Sequence, residues 1–381
     1  MQSPVVYLDN NATTRPSSAV VAAVMRALEI DWANPSSVNG FGQAVARSVA
    51  ASREQVAGLL GVQAERVVFA SGATEANEAV LRHYAKLGAV LITSTAEHPA
   101  VAGYYFRHMP QLVRTVPLDK SGRWRLDALE KVLNSISGPK LIAFAWANGE
   151  TGVLQDLATI KFIAEQRGAA CLVDASQAIG RVAFKADSAA YLTFSGHKLH
   201  APKGAGVLVQ PEDLPSVEIA AGGGQERGWR GGTLNVPGIV GLGVACEDRH
   251  RDLDGAIAWM ARLRDQFETR VRSAIPEVRV NGTNAQRVPN TSNLTVPGVE
   301  GMALVARLEA RGILCSQVSA CSSGQPEPSR TLLAMGLSRD DAYASLRIAV
   351  AVDTREEDVE IAAQALVDEA LFLREMMGGL V

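Results

Sequence analysis

The sequence predicts an α/β protein with a mainly parallel sheet that is covered by helices. Amphipathic helical patterns alternate with short apolar runs along the first half of the chain. The helical patterns cover residues 17–29, 42–60, 74–86, 126–136 and 156–167, and the apolar runs cover residues 66–70, 89–93, 141–146 and 170–174. Such alternation is typical of parallel strands joined by helices. With 381 residues, of which 47% are hydrophobic, the chain can bury a large core and is expected to form two domains.

Composition excludes several classes of function. A net charge of −3 and the lack of a lysine or arginine run give no electrostatic reason to expect nucleic-acid binding. The N-terminal residues carry no signal-peptide pattern, and no apolar run approaches the ~20 residues of a membrane span, so we expect a soluble, cytoplasmic protein. Four cysteines without a Cys-x-x-Cys pair argue against a disulfide framework or a structural metal site.

Lys198 is the first candidate catalytic residue. It follows the apolar run 190–194 within Ser195-Gly196-His197-Lys198, and a second apolar run begins after Gly204. Burial beside strands disfavours an ammonium ion, so such an amine becomes nucleophilic and can form a Schiff base with a carbonyl cofactor such as pyridoxal phosphate. The alternative is a surface lysine in a turn between strands.

Asp174 closes the apolar run 170–173, which places it at the carboxyl end of a predicted strand. Open α/β sheets present ligand-binding groups at that edge. A carboxylate there can pair with a protonated pyridine nitrogen, with Gln177 one turn further on, although it can equally cap the next helix.

A phosphate site is predicted where the run 67–70 turns into a helix. Free backbone amides at a helix N-terminus, together with hydroxyl groups, bind anions. An ordinary capped helix gives the same local pattern. The residues expected to form this cradle are Ser71, Gly72, Ala73 and Thr74, completed by Ser195 and His197.

His98 and Asn148 also follow predicted strands. An imidazole at a strand end can stack on a cofactor ring and move protons, although a helix-capping role is the alternative for His98. Asn148 lies in Asn148-Gly149-Glu150-Thr151-Gly152, directly after the run 141–146. Several polar groups at successive strand ends therefore predict one shared site.

Together these motifs resemble the class V aminotransferase group of fold-type I pyridoxal-phosphate (PLP) enzymes, and within it the cysteine desulfurases of nitrogen fixation and iron–sulfur-cluster assembly. The resemblance runs from residue 7 to about residue 350 in family order. The matching segments are Leu8–Thr14, Asn34–Ser37, Ser71–Glu75, Glu97–His98, Val173–Gln177, Ser195–Lys198, Arg230–Thr233 and Ser319–Cys321. Gly149, Gln225 and Val318 depart from the pattern common in the family.

The resemblance implies a large PLP-binding domain over residues 17–255. It also implies a smaller α+β domain, formed by residues 1–16 and 256–381, that carries the Cys321 loop. PLP is expected on Lys198, with Asp174 at the ring nitrogen and His98 stacked on the ring. Asn148 and Gln177 are expected to contact the ring hydroxyl oxygen.

The substrate side of the site is predicted from Cys321 and Arg347. Cys321 lies in a stretch of small, polar residues typical of a loop, where a thiol can reach a substrate and carry its sulfur outward. Arg347 interrupts an apolar run, and a guanidinium binds a carboxylate through two parallel hydrogen bonds, unless it pairs with a nearby acid. The resemblance implies that Arg347 and Asn34 bind the carboxylate of L-cysteine. Cys171, Cys246 and Cys315 are predicted to be packing residues.

The implied activity is removal of sulfur from L-cysteine, giving L-alanine and a persulfide on Cys321 for a sulfur-acceptor protein in iron–sulfur assembly or thiolation. Relatives complete the phosphate site across a homodimer, which assigns that role to Thr233. The alternatives are a class V aminotransferase and a selenocysteine or cysteine lyase without persulfide transfer. Either of these would have no use for Cys321.

Overall fold

The computed structural model describes residues 5–183, 190–317 and 327–378. The helices are α1 (Ser18–Glu29), α2 (Gly40–Leu60), α3 (Ala73–Lys86), α4 (Pro99–His108), α5 (Leu126–Asn134), α6 (Leu157–Gln166), α7 (Val236–Arg251), α8 (Leu253–Ala274), α9 (Gly301–Ala310), α10 (Arg330–Ala334), α11 (Arg339–Tyr343) and α12 (Glu356–Gly378). The strands are β1 (Val6–Tyr7), β2 (Val67–Ala70), β3 (Val90–Thr93), β4 (Val113–Thr115), β5 (Lys140–Ala145), β6 (Ala170–Asp174), β7 (Tyr191–Ser195), β8 (Gly206–Val209), β9 (Arg279–Val280), β10 (Thr291–Thr295), β11 (Ile313–Leu314), β12 (Ser316–Gln317) and β13 (Ser345–Ala349).

A seven-stranded sheet forms the centre of the described chain, in the order β2-β8-β7-β6-β5-β3-β4. Strands β7, β6, β5, β3 and β4 pair in parallel, and β8 runs antiparallel to both β2 and β7. The central strands are apolar along their length because helices cover both faces of the sheet. The predicted fold class, a mainly parallel sheet covered by helices, is confirmed.

Parallel pairing brings the carboxyl ends of β5, β6 and β7 to one edge, which therefore carries Asp174 and Ser195. The β2–α3 turn approaches the same edge beside β8. A Cβ atom on Gly206 would lie 2.5 Å from the Cα atom of Gly72, so glycine at position 206 allows the start of α3 to lie against β8.

A second core lies around the four-stranded antiparallel sheet β12-β13-β10-β9. Helices α8, α9 and α12 pack on it through buried side chains such as Leu263, Leu304 and Leu366. Strand β1 pairs with β11, which brings the first described residues to this part of the molecule. The proposed boundary between residues 255 and 256 falls in the first turn of α8, while Val288 and Leu332 pack into the large-sheet core, so the domain boundaries stay a prediction. Within the described ranges no helix is long and apolar enough to cross a membrane.

Candidate active site

Lys198 lies in a 3-10 turn, Gly196–Lys198, that directly follows β7. Its Nζ donates hydrogen bonds to the backbone oxygens of Asn11, at 2.5 Å, and Ala12, at 2.7 Å. Burial, together with the positive charges of Arg181 and Arg347, lowers the pKa of this amine to about 8. The amine is therefore fixed by hydrogen bonds to the main chain, whereas the amine of a surface lysine in a turn would be solvated.

Asp174 is buried at the end of β6, and neutral donors hold both of its oxygens. Asn77 Nδ2 donates to Oδ2 at 2.8 Å, and the backbone amide of Ser176 donates to Oδ1 at 2.9 Å. Thr193 on β7 donates to Asn77 Oδ1 at 2.5 Å, so the carboxylate lies at the end of a buried hydrogen-bonded chain. Asp174 thus does cap the following turn, and its orientation is fixed at the same time.

The residues predicted to form a phosphate cradle lie at a helix N-terminus whose N-cap residue has no side chain to cap it. Gly72 is the N-cap of α3, and the backbone amide of Ala73 donates to Ser195 Oγ at 2.8 Å. Thr74 is exposed in the first turn, where backbone amides lack intrahelical acceptors. The Ser71 amide donates to Glu75 Oε2 at 2.5 Å, so this carboxylate lies beside the cradle.

Two histidines lie around these groups. His98 is the N-cap of α4, and its Nδ1 accepts from the backbone amide of Ala100 at 3.1 Å, so in the neutral ring the proton is on Nε2. Burial lowers the pKa of His98 below its usual value. His197 Nδ1 lies 3.1 Å from Thr13 Oγ1, and burial, with Lys198 adding to it, lowers the pKa of His197 to about 4. Both rings are neutral near pH 7.

The Asn148 side-chain oxygen is fully used within its own turn, where it accepts from the backbone amides of Glu150 and Thr151 at 2.9 and 3.0 Å. Its Nδ2 has a long contact, 3.5 Å, to Thr331 Oγ1. Gln177 Nε2 donates to Asn11 O at 3.0 Å. Asn148 therefore presents a weakly used donor, whereas the amide of Gln177 holds the N-terminal segment.

Arg347 is in the middle of β13, which lies between β12 and β10. It is ion-paired with Asp9, and it donates to the backbone oxygen of Gly149 at 3.0 Å. Arg347 therefore does pair with an acid, which was the alternative to substrate binding. Its strand is an inner strand of the sheet. Its buried Nε has no hydrogen-bond partner among the described residues. Asn34 is exposed, and its Oδ1 accepts from the Ser36 amide at 2.9 Å.

Cys321 lies outside the described residues. Cys171 and Cys246 are buried in the large-sheet core, and Cys315 is partly buried against the second core, as predicted for packing residues. Thr233 is exposed in residues 222–238, a glycine-rich segment that follows β8. In that segment Arg230 reaches Glu75 at 3.5 Å, which connects it to the start of α3.

Sequence reasoning assigned no role to several polar groups of the site. Asn77 is three residues after Thr74 on α3, a spacing that places both on one helix face. Glu97 accepts from Trp124 Nε1 at 3.2 Å and from the Ala145 amide at 2.7 Å, and burial raises its pKa to about 8. Arg181 and Glu150 are further charged groups near this edge. Glu150 lies in the strand-end segment 148–152 but had no role assigned to it, and the sequence around Arg181 gave no signal for a site.

Comparison with known proteins shows the family of this chain. The aminotransferase class-V family model matches residues 6–361. A cysteine desulfurase of Trichormus azollae is 40% identical over 93% of this chain and 90% of its own length. The cysteine desulfurase NifS of Azotobacter vinelandii is 35% identical, with the same coverage. A solved NifS-like protein superposes with a TM-score of 0.87 at 30% identity, covering 97% of this chain and all of the other. The chain therefore belongs to the class-V aminotransferase family and, within it, to the cysteine desulfurases.

Proposed function

We propose that this cysteine desulfurase holds PLP on Lys198 and releases sulfur from L-cysteine as a persulfide on Cys321, with L-alanine as the second product. The observation that carries the proposal is the Lys198 amine. It has a pKa lowered to about 8 and reaches the sheet edge that also presents Asp174. An amine that loses its proton near neutral pH is suited to attack a carbonyl carbon.

The described residues fit PLP. The first turn of α3 offers backbone amides to a phosphate, and a Cβ atom on Gly72 would lie only 3.3 Å from Ser195 Oγ, so glycine leaves room there. Asp174, oriented by Asn77, would accept a hydrogen bond from the ring nitrogen. Asn148 Nδ2 is available to the ring hydroxyl oxygen. When bound, PLP supplies an electron sink for bond cleavage next to the substrate amine.

The remaining groups bind substrate and move protons. Lys198 Nζ removes the proton from the substrate Cα atom, because this amine is close to its pKa at neutral pH. Arg347 Nε, which has no acceptor among the residues that the structure describes, together with Asn34, binds the substrate carboxylate. His98 Nε2 exchanges protons with the leaving fragment and the incoming thiol.

Sulfur transfer balances without an added oxidant. The Cys321 thiolate forms an S–S bond to the substrate sulfur as the C–S bond breaks, and the electron pair of that bond stays with the three-carbon fragment. Protonation of that fragment gives alanine, and Cys321 keeps the persulfide. A sulfur-acceptor protein of iron–sulfur assembly or thiolation then takes the terminal sulfur. We place this activity in the cytoplasm.

Lys198→Ala and Cys321→Ala test the two halves of the proposal. Lys198→Ala should lose borohydride-reducible attachment of PLP and all turnover. Cys321→Ala should still change the cofactor spectrum when L-cysteine is added, yet form no protein persulfide and release no stoichiometric alanine. Cys315→Ala is the matched control, because this thiol is partly buried and burial raises its pKa to about 12.

Three results would contradict parts of this proposal. Persulfide formation by Cys321→Ala at the wild-type level would contradict the nucleophile assignment and would favour Cys315 as the cysteine that carries the sulfur. Amino transfer to a 2-oxo acid by the wild-type enzyme, without sulfide or persulfide, would favour the aminotransferase alternative. Reducible PLP attachment in Lys198→Ala would contradict the cofactor assignment itself.

We also propose a homodimer in which Thr233 completes the phosphate site of the neighbouring subunit. Thr233 is exposed, and Arg230 in the same segment reaches the start of α3. Residues 21–41 expose large apolar side chains that a partner subunit would cover. These side chains are Val21, Met25, Leu28, Ile30, Trp32, Val38 and Phe41.

Mixed dimers test this shared site. Thr233→Ala and Lys198→Ala subunits should each be impaired alone, but a dimer of one with the other has one intact site. Activity should therefore return, to about half of the wild-type value at most. A fully active monomer in sedimentation, or mixed dimers that stay as impaired as their parents, would contradict the proposal.

A further inference from the structure

Arg181 is a buried cation whose hydrogen-bond acceptors among the described residues are all neutral. It follows β6 and is 4% exposed. The acceptors are Asn11 Oδ1 at 3.0 Å, Gln177 O at 3.3 Å, Gln177 Oε1, Asn10 O at 3.4 Å and Lys198 O at 3.3 Å. A buried charge usually has a carboxylate partner, so this arrangement needs an explanation other than an ion pair.

Apart from the two oxygens of Gln177, the acceptors of Arg181 belong to two parts of the site that also meet at the Lys198 amine. One part is the backbone of Lys198 itself, and the other is the N-terminal segment 10–12. The Lys198 amine donates to the carbonyl oxygens of Asn11 and Ala12 in that same segment. One guanidinium therefore ties the main chain of Lys198 to the segment that receives its side chain.

Charge adds to this geometry. The groups that influence Lys198 are the cations Arg181 and Arg347 and the carboxylates Asp9 and Asp174. Arg347 is neutralised by its ion pair with Asp9, and the titratable neighbours His98 and His197 have lowered pKa values. Arg181 thus remains the positive charge without an acidic partner in the described part of the chain. A positive charge at this position disfavours a second one on the amine.

We propose that Arg181 is a positioning residue for Lys198, which holds the amine against segment 10–12 and disfavours its protonated form. The inference rests on the proposed attachment of PLP to Lys198. Substrate and cofactor do not contact Arg181 in this scheme, because it acts through the main chain and charge of its neighbours. Its rigid, planar donors suit this role, since several acceptors can be satisfied at once.

The test measures how fast the full-length chain, freed of cofactor, captures PLP at pH 6 to 10. The rate follows the fraction of neutral amine, and Nα-acetyl-lysine measured in parallel corrects for the titration of PLP itself. For the wild type the midpoint is expected near pH 8. Arg181→Met should raise it by about one pH unit, which lowers capture at pH 7 about tenfold. Arg181→Lys should keep the midpoint, because the charge remains, but lower the plateau rate, because the planar fork is lost.

Arg249→Met is the matched control. Arg249 is also buried, but it donates to Gly180 O at 2.8 Å and has no hydrogen bond to Lys198 or to segment 10–12. It should leave midpoint and plateau close to the wild-type values. A wild-type midpoint and plateau in Arg181→Met would overturn the inference. If that variant fails to fold, an unchanged plateau in Arg181→Lys would overturn the positioning role. Capture by Lys198→Ala would instead contradict the cofactor assignment, which separates the two failures.

Discussion

The carboxyl edge of the large sheet and the middle of β13 contribute to the site in different ways. Asp174 and Lys198 come at or just after strand ends, and parallel pairing brings those ends together. Arg347 comes from the inside of a strand in the second sheet, and its partners Asp9 and Gly149 are 338 and 198 positions away in sequence. Parallel strand pairing therefore positions the residues of the first region. In the second region, contacts between segments distant in sequence position them.

The two regions also differ in charge. At the large-sheet edge a carboxylate is held by neutral donors, while in the second region a cation and a carboxylate form a pair. Cofactor binding should therefore depend mainly on the first region. Recognition of the substrate carboxylate should depend mainly on the second.

Replacement of Arg347 should have the largest effect on substrate recognition. Hydrogen bonds to charged groups contribute about 1.5–3 kcal/mol, so Arg347→Met should raise KM for L-cysteine roughly 10- to 150-fold while PLP stays attached. Steady-state kinetics and the cofactor spectrum measure the two effects. Arg279→Met is the control. Arg279 is in the same sheet as Arg347 and pairs with Asp341, but its side chain is more exposed than that of Arg347. An unchanged KM in Arg347→Met would remove the assigned role of this region.

Replacement of Asn77 should lower both the stability of the protein and its affinity for PLP, because Asn77 holds Asp174 at the large-sheet edge. Asn77→Leu leaves one oxygen of Asp174 and the Thr193 hydroxyl without their partner, which should cost about 1–3 kcal/mol in the free energy of unfolding and raise the dissociation constant of PLP. Asn293→Leu is the control in the second sheet. It is equally buried and accepts from Asn281 at 2.7 Å. If both variants lowered PLP affinity equally, the claim that cofactor binding depends mainly on the large-sheet edge would be wrong.

Two buried acids, Glu97 and Glu150, should make the stability of the folded protein depend on pH. Burial raises the pKa of Glu97 to about 8 and that of Glu150, which accepts from Ser329, to about 7. Because these values exceed the usual 4.5, the stability that each protonated acid contributes is present below pH 4.5 and is lost as pH rises to about 7 for Glu150 and about 8 for Glu97.

Thermal unfolding between pH 5 and 9 measures this effect. Relative to the wild type, Glu150→Gln should gain about 2–4 °C in melting temperature up to pH 7, and Glu97→Gln should continue to gain up to pH 8, since a glutamine is not ionised. A Gln variant whose melting curve stays parallel to that of the wild type over this range would show that the acid is ionised in the folded protein.

Much of the large sheet could be predicted from the sequence. The pattern over 126–136 corresponds to α5 (Leu126–Asn134), and the run over 170–174 coincides with β6. β4 has three residues with exposed positions, too short and too polar for an apolar pattern to reveal it. Asn77 was missed because a buried asparagine in a helix looks like any polar position until its partners on other strands are known.

The sequence by itself determined the alternating strands and helices, the strand-end positions of Asp174, His98, Asn148 and Lys198, and the family. These features are local, because apolar periodicity and the residue that follows a strand can be read along the chain. Only the tertiary structure decided that Asn77 holds Asp174, that Asp9 pairs with Arg347, and that Arg181 joins Lys198 to segment 10–12. Each of these contacts joins residues distant in sequence. Their geometry depends on how the sheets and the N-terminal segment pack, which no local pattern encodes.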